Sequence, residues 1–293
     1  MDNHDKNVAR RLPSWLKRPM GSGEKFNRVN ATLAELKLVT VCSSAGCPNR
    51  GECYSAGTAT FMVMGENCTR NCQFCAVGHD AIGALDSDEP RRVALAVEKL
   101  DLRHVVITSV TRDDLPDGGA EHFAQVIQAI RRQKPSVTIE VLTPDFQGST
   151  DCLDIVCDAQ PDVFNHNLET IRRLTGEIRS GADYDRSLAV LNYVAGRGQH
   201  PTVKSGFMVG LGETDAEINQ LLNDLRNARV QMLTIGQYLR PGKDNHEVVK
   251  YYRPEEFDQI KKAAEQLGFG HVAAGPFVRS SYHAEISLQE KKP

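Results

Sequence analysis

Eight cysteines constrain this 293-residue chain more than any other feature, because six of them fall between Cys42 and Cys75; the other two are Cys152 and Cys157. The six form two spaced sets, CSSAGCPNRGEC at 42–53 and CTRNCQFC at 68–75. Disulfides concentrate in oxidising compartments and in small secreted domains that lack a core of their own. This chain is long enough to bury a core. Its N-terminus, MDNHDKNVARR, has no apolar run for a secretory signal, and its two aspartates argue against a transit peptide. The clustered thiols are therefore expected to be ligands of a metal or iron–sulfur centre rather than bridges. With 35 Lys+Arg against 38 Asp+Glu the net charge is -3, which gives no electrostatic reason to expect nucleic acid. No stretch approaches the ~18 consecutive apolar residues of a membrane span. A cytoplasmic protein is expected.

The rest of the chain sets these thiols in a regular frame. Residues 1–29, with Pro13, Pro19, Gly21 and Gly23, read as an irregular arm, and Asn30 caps a short predicted helix over 30–38. A buried strand is predicted at 58–64. Further strands are predicted at 104–110, 137–143, 162–165, 202–210 and 230–239, with a short last one at 271–274. Helices alternate with them over 90–100, 120–133, 150–158, 183–195, 214–228 and 254–268, and Thr214 with Glu217 forms a capping-box pattern. Such alternation argues for parallel βα units. The repeated part covers about 210 residues, short of the ~250 of a closed eight-unit barrel. The expected fold is α/β, a partial (β/α)6 TIM-like barrel over 58–275. An N-terminal extension, 1–57, carries one cysteine set, and a C-terminal extension, 276–293, ends in a solvated tail, ISLQEKKP.

The segment CTRNCQFC places Cys68, Cys72 and Cys75 directly after a predicted strand, at the barrel mouth where βα loops carry chemistry. Three thiolates on a 4Fe–4S cluster leave one iron open to a small molecule. A zinc knuckle completed by His79 is the plainer alternative. This C-x3-C-x2-C spacing, with Phe74 before the last cysteine, resembles the radical S-adenosylmethionine (SAM) superfamily. The resemblance implies that the open iron chelates SAM and that Phe74 lies against the cofactor.

Cys42, Cys47 and Cys53 form a second three-thiol set, C-x4-C-x5-C, whose Gly46, Pro48 and Gly51 let the backbone wrap a bulky centre. Pairing of these thiols with the other three is the alternative. The two sets in succession, with the words CPNRGEC, GTATFM, TSVTRDDLPDGG, FNHNLET and RSSYHAE, are similar to the lipoyl synthase family. The similarity runs from about Leu12 to Glu285; Tyr54 and Met20-Gly21 depart mildly from the family's pattern. It implies two 4Fe–4S clusters with SAM, the auxiliary one ligated by Cys42, Cys47, Cys53 and Ser281. Without it, Ser280 and Ser281 would pass as turn residues. It also implies radical insertion of sulfur at carbons six and eight of a protein-bound octanoyl-lysine. The partners would be octanoylated carrier domains of 2-oxoacid dehydrogenase subunits, the glycine-cleavage carrier protein and an electron donor. The C–H bonds concerned have no acidity for a side-chain base to exploit, and no acid–base dyad or nucleophile triad stands out. A methylthiotransferase, a biotin-synthase-like enzyme and a two-cluster electron carrier are rival readings.

Other residues have two readings each. Asp117, Gly118 and Gly119 stand where such proteins contact the SAM methionine moiety, or simply start a helix. Asn165, Asn167 and Glu169 end a strand at the mouth, Glu169 being a candidate for the SAM ribose. Gly210 to Glu213 flank the adenine or make a plain turn. Arg186 and Arg279 neutralise carboxylate or cluster charge, or in the case of Arg186 face solvent. Cys152 and Cys157 read as small buried hydrophobes.

Overall fold

The computed structural model describes residues 12–18, 21–198, 201–282 and 284; the tail expected at 286–293 and the first eleven residues of the arm lie outside them. A 3-10 turn at Ser14–Leu16 leads to α1 (Glu24–Glu35), β1 (Val39–Thr40), α2 (Val41–Ser44) and α3 (Arg50–Ala56). Then come β2 (Thr60–Val63), α4 (Glu89–Lys99), β3 (His104–Ser109), α5 (Ala120–Gln133), β4 (Thr138–Leu142) and α6 (Thr150–Asp158). The series continues with β5 (Val163–Asn165), α7 (Arg172–Ile178), α8 (Tyr184–Gly196), β6 (Thr202–Val209) and α9 (Asp215–Asn227). It closes with β7 (Met232–Gln237), α10 (Pro254–Gln266) and β8 (His271–Gly275).

The eight strands form one sheet in chain order. Strands β2 to β8 are parallel, and β1 joins antiparallel to β2. Among the described residues β8 does not return to β1, so the barrel is open, as the short repeated region implied. The expected capping box is formed, with the Thr214 hydroxyl accepting from the Glu217 N–H.

Two local expectations fail. Helix α1 starts at Glu24 rather than at Asn30, which sits mid-helix and donates its side-chain amide to the Phe26 carbonyl at 2.8 Å. Apolar positions extend the helix backwards into the arm: Val29 is fully buried, and the Phe26 ring centroid lies 5.8 Å from that of Tyr54. Helix α7, between β5 and α8, has no counterpart in the expected series; its short polar sequence, RRLTGEI, carries little helical periodicity.

Alternate strand residues face two environments. Ile107, Ile139, Val141, Phe164, Val203 and Ile235 are buried on the helical side, none more than 1% exposed. The other face looks into the barrel. Register pairs Thr108 with Leu142, Leu142 with Asn165, and Asn165 with Lys204, so these share the interior with Glu140, Thr234 and Gly236. Closed barrels fill that space with branched apolar side chains. Here polar groups and glycines line it and leave space at the mouth. Among the described residues no helix is long and apolar enough to cross a membrane.

Candidate active site

The loop after β2 brings Cys68, Cys72 and Cys75 to the barrel mouth around a cavity of about 210 Å³. Positive φ at Met64 and Gly65 turns the chain out of the strand. The Met64 N–H donates to Glu89 Oε2 at 2.9 Å. The loop closes through Cys68 N–H to Gly78 O and is tied to α7 through Gln73 N–H to Ile178 O, both 2.8 Å. Arg70 clamps it from within, reaching Asp113 at 2.7 and 2.9 Å and Asp145 at 2.8 and 3.1 Å. Burial alone would raise the Asp145 carboxyl, but the Arg70 guanidinium overrides it and brings it down to about 2.

The sulfurs are prepared as acceptors. Arg70 and Thr111 N–H groups reach Cys68 Sγ at 3.4 and 3.3 Å, and the Val77 N–H reaches Cys75 Sγ at 3.5 Å. Burial pushes the Cys72 thiol up to about 11 and Cys75 up as well, against the opposing pull of Arg179 at Cys72. Among the described residues no group of three His, Cys, Asp or Glu is arranged to hold a single metal ion. His79, the fourth ligand of the zinc alternative, is exposed and lines neither thiol-bearing cavity.

The same cavity is edged by polar atoms left without partners: Ser109 Oγ, Thr143 Oγ1, His166 Nε2 and Asn167 Oδ1. Orphaned buried groups at that density mark a polar ligand's place. The His166 Nδ1–H donates to Thr143 O at 2.9 Å, leaving Nε2 as an acceptor. Burial, with Arg179 nearby, pushes His166 down to about 4. Folded His166 is neutral while its unfolded counterpart charges near 6.5, so stability falls as pH drops from about 6.5 to 4, by about 3 kcal/mol at the end of that window. Urea unfolding of the cluster-free chain checks this: His166→Gln should lose less stability than the parent between those pH values. Glu169, at positive φ beside Asn167, is pushed up by burial against the opposing pull of Arg179; Asn167 donates to its Oε1 at 2.9 Å.

The second thiol set sits on short helices before β2. Thr40 caps α2 by accepting from the Ser43 N–H, and its hydroxyl meets the Tyr54 hydroxyl at 2.7 Å, a bond that phenylalanine or tryptophan at 54 would not make. Cys42 and Cys47 line a larger cavity of about 520 Å³, while Cys53 on α3 is half-buried against the core and outside that lining. No two of the eight cysteines are joined by a disulfide. Arg279, Ser280 and Ser281 also line this cavity. Asn167 donates to Ser280 Oγ at 2.7 Å, whereas among the described residues no hydrogen bond occupies the Ser281 hydroxyl. Phe74, Cys75, Leu142, Asn167 and Glu169 border both cavities, which therefore adjoin.

The serine-bearing segment approaches β7 at Gly236, where a Cβ would lie 2.2 Å from Val278 O. Gly236→Ala should displace that segment and cost about 1–3 kcal/mol, measured by urea unfolding; an unchanged midpoint would show that the segment yields freely.

Several sequence candidates lie elsewhere. Gly118 and Gly119 line neither thiol-bearing cavity. They open α5 at positive φ, where a Cβ on Gly119 would strike Met64 Sδ at 2.3 Å. Gly210 and Leu211 N–H groups are capped by Glu213 at 2.6 and 2.9 Å in a plain turn. Asn165 turns down to Glu140 at 3.2 Å. Arg186 stays at the rim, its Nε 3.0 Å from Asp145. Cys152 and Cys157 are buried in α6. Conversely, Arg70, Asp145, His166, Arg179, Glu140 and Lys204 were not singled out from sequence. The lone Glu in VTIEVLT and the lone Lys in TVKSGFMVG were legible signals, since a charge inside an apolar parallel strand needs a partner.

A family profile described as the Radical SAM superfamily matches residues 62–225, and one for the N-terminal domain of lipoyl synthase matches residues 2–47. A lipoyl synthase of Caldanaerobacter subterraneus subsp. tengcongensis is 53% identical over 278 residues, spanning 95% of this chain and 97% of that one. A lipoyl synthase of Rubrobacter xylanophilus is 51% identical, spanning 96% and 87%. The crystal structure of Streptococcus suis SuiB bound to S-adenosylmethionine shares the fold at TM-score 0.57 and 12% identity, over 77% of this chain and 54% of that one.

Proposed function

The chain belongs to the lipoyl synthase family of the radical SAM superfamily, and from that membership we propose which of its residues carry each part of the reaction. The activity is radical insertion of sulfur at carbons six and eight of a protein-bound octanoyl-lysine, with SAM and two 4Fe–4S clusters, one of them auxiliary. When bound, these groups supply a 5′-deoxyadenosyl radical at one centre and sulfur at the other.

In our reading Cys68, Cys72 and Cys75 hold the first cluster. The donor set fits: three thiols on one loop, amide N–H groups aimed at two of the sulfurs, and Arg179 offsetting charge at Cys72. The unpartnered atoms of Ser109, Thr143, His166 and Asn167 supply donors and acceptors for the polar groups of SAM, with Glu169 directed to its ribose and Phe74 against it. Gly118, Gly119 and Arg186 are further candidates for contact with the cofactor; Gly119 packs on Met64, and Arg186 holds Asp145 at the rim. Cys42, Cys47 and Cys53 hold the auxiliary cluster, and Ser281 is its fourth ligand. A hydroxyl is a harder donor than thiolate and binds a soft centre less firmly, which suits a cluster that gives up sulfur.

The shared wall of Phe74, Cys75, Asn167 and Glu169 supports this reading, because clusters on the two thiol sets would then face one chamber. Leu16, Phe207, Met208, Tyr238 and Leu239 make the larger cavity apolar enough for an eight-carbon chain. The open edge between β8 and β1 would admit an octanoyl-lysine arm while a carrier domain of a 2-oxoacid dehydrogenase or glycine-cleavage protein stays outside. An electron donor would dock at the same rim, in the cytoplasm. The test is anaerobic reconstitution with an octanoylated carrier or peptide, SAM and reductant, read by mass spectrometry. Lipoyl product is expected; intact cluster spectra with no deoxyadenosine would overturn the assignment of the first site.

A further inference from the structure

The barrel interior holds a charged pair that the cluster ligands do not explain. Glu140 on β4 is 0% exposed and Lys204 on β6 is 1% exposed, with Nζ 2.8 Å from Oε1. Asn165 Nδ2 donates to the same oxygen at 3.2 Å, and His104 Nε2 stands 3.6 Å from Oε2. A buried ion pair is weak evidence for stability, since apolar side chains of similar volume usually serve as well. Its use lies in the second contact that Lys204 makes. Nζ also donates to the main-chain carbonyl of Ser280 at 2.6 Å, and among the described residues nothing else donates to that oxygen. Asn167 holds the Ser280 hydroxyl at 2.7 Å. Ser280 is thus fixed by backbone and side chain together, and the next residue is Ser281.

We propose that Lys204 is a positioning residue for the auxiliary site: with Glu140 fixing its ammonium, it anchors the segment after β8 and so places Ser281 opposite Cys42 and Cys47. The proposal rests on the reading of Ser281 as a ligand. An ammonium suits the task because a charge-assisted bond to a carbonyl is stronger than a neutral one. Glu140 supplies the compensating charge: burial opposes its carboxylate, but Lys204 at 2.8 Å keeps its titration low. The contacts run from β4 and β6 to the segment after β8.

The test uses Glu140→Gln/Lys204→Met, which removes both charges and leaves neither unpaired, and Lys204→Arg, which keeps the pair but changes its reach. Hydrogen exchange across 276–282, with and without clusters, should quicken by about tenfold in the double variant. Sulfur insertion by the reconstituted double variant should fall by about tenfold, while deoxyadenosine formation stays within about twofold of the parent. Adding Ser281→Ala to that background should lower insertion less than about twofold further, because the two changes act through one contact. Lys204→Arg should move the exchange and the insertion in the same directions by less. Unchanged exchange across 276–282, or a full multiplicative loss on adding Ser281→Ala, overturns the positioning role. Full insertion by Ser281→Ala alone overturns the ligand reading instead, and the exchange result then decides the anchoring separately.

Discussion

A Cys72→Ala protein is expected to fold and to cleave no SAM. Its thiol is half-buried in a loop held by other groups: Arg70 on Asp113 and Asp145, and the Gln73 N–H on Ile178 O. Losing it removes little packing, so the cluster-free chain should unfold within roughly 1 kcal/mol of the parent. The first cluster loses one of three protein anchors on a single short loop, and no other thiol lies in that cavity to replace it among the described residues. Deoxyadenosine formation should fall by ~10⁴-fold or more, a loss above ~5 kcal/mol at the transition state. Chromatography of deoxyadenosine after reduction checks it. Cys157→Ala is the control, since that thiol is buried in α6 away from both cavities and should cost stability alone. Full SAM cleavage by Cys72→Ala would remove Cys72 from the site.

A Cys47→Ala protein should separate the two halves of the reaction. Cys47 is half-buried in the turn after α2, where its N–H donates to the Cys42 carbonyl at 3.1 Å, a bond alanine keeps. The substitution leaves the first thiol set untouched, so deoxyadenosine should form within about threefold of the parent rate. Sulfur insertion should fall by ~10³-fold or more, because the chamber then has a radical source and no sulfur source. Uncoupled deoxyadenosine with unchanged octanoyl peptide is the expected mass-spectrometric result. Loss of both products together would mean that the sites are not independent.

Much of this architecture was legible in the sequence because its signals were local. The strands that became β2 to β8 are short apolar runs spaced by amphipathic segments, and the open barrel follows from a repeat too short to close. The thiol sets announced themselves by spacing. Asn30 misled because a good capping residue competes with apolar periodicity; Phe26 packs on the Tyr54 ring and Val29 is fully buried. A glycine pair after a strand, such as Gly118 and Gly119, fits a helix start or a cofactor contact; the crowding of Gly119 against Met64 is a tertiary fact that spacing cannot show. Ser281 was reached only through a family resemblance. The contacts that bear on it, those of Asn167 and Lys204 with Ser280, join residues 113 and 76 positions apart. The Arg70 clamp is equally non-local, since its partners Asp113 and Asp145 belong to two other loops.

The division of labour between the two thiol sets is tested most directly by isotope tracing in a single turnover. The protein is reconstituted with heavy-isotope sulfide, freed of excess, and given SAM, reductant and an octanoyl-lysyl peptide. The lipoyl product should carry heavy sulfur at both positions, with about two deoxyadenosines formed per lipoyl group, and none of it should appear with the Cys47→Ala protein. Light sulfur in the product, or heavy product from a chain lacking Cys47, would contradict the assignment of Cys42, Cys47 and Cys53 to the sulfur source.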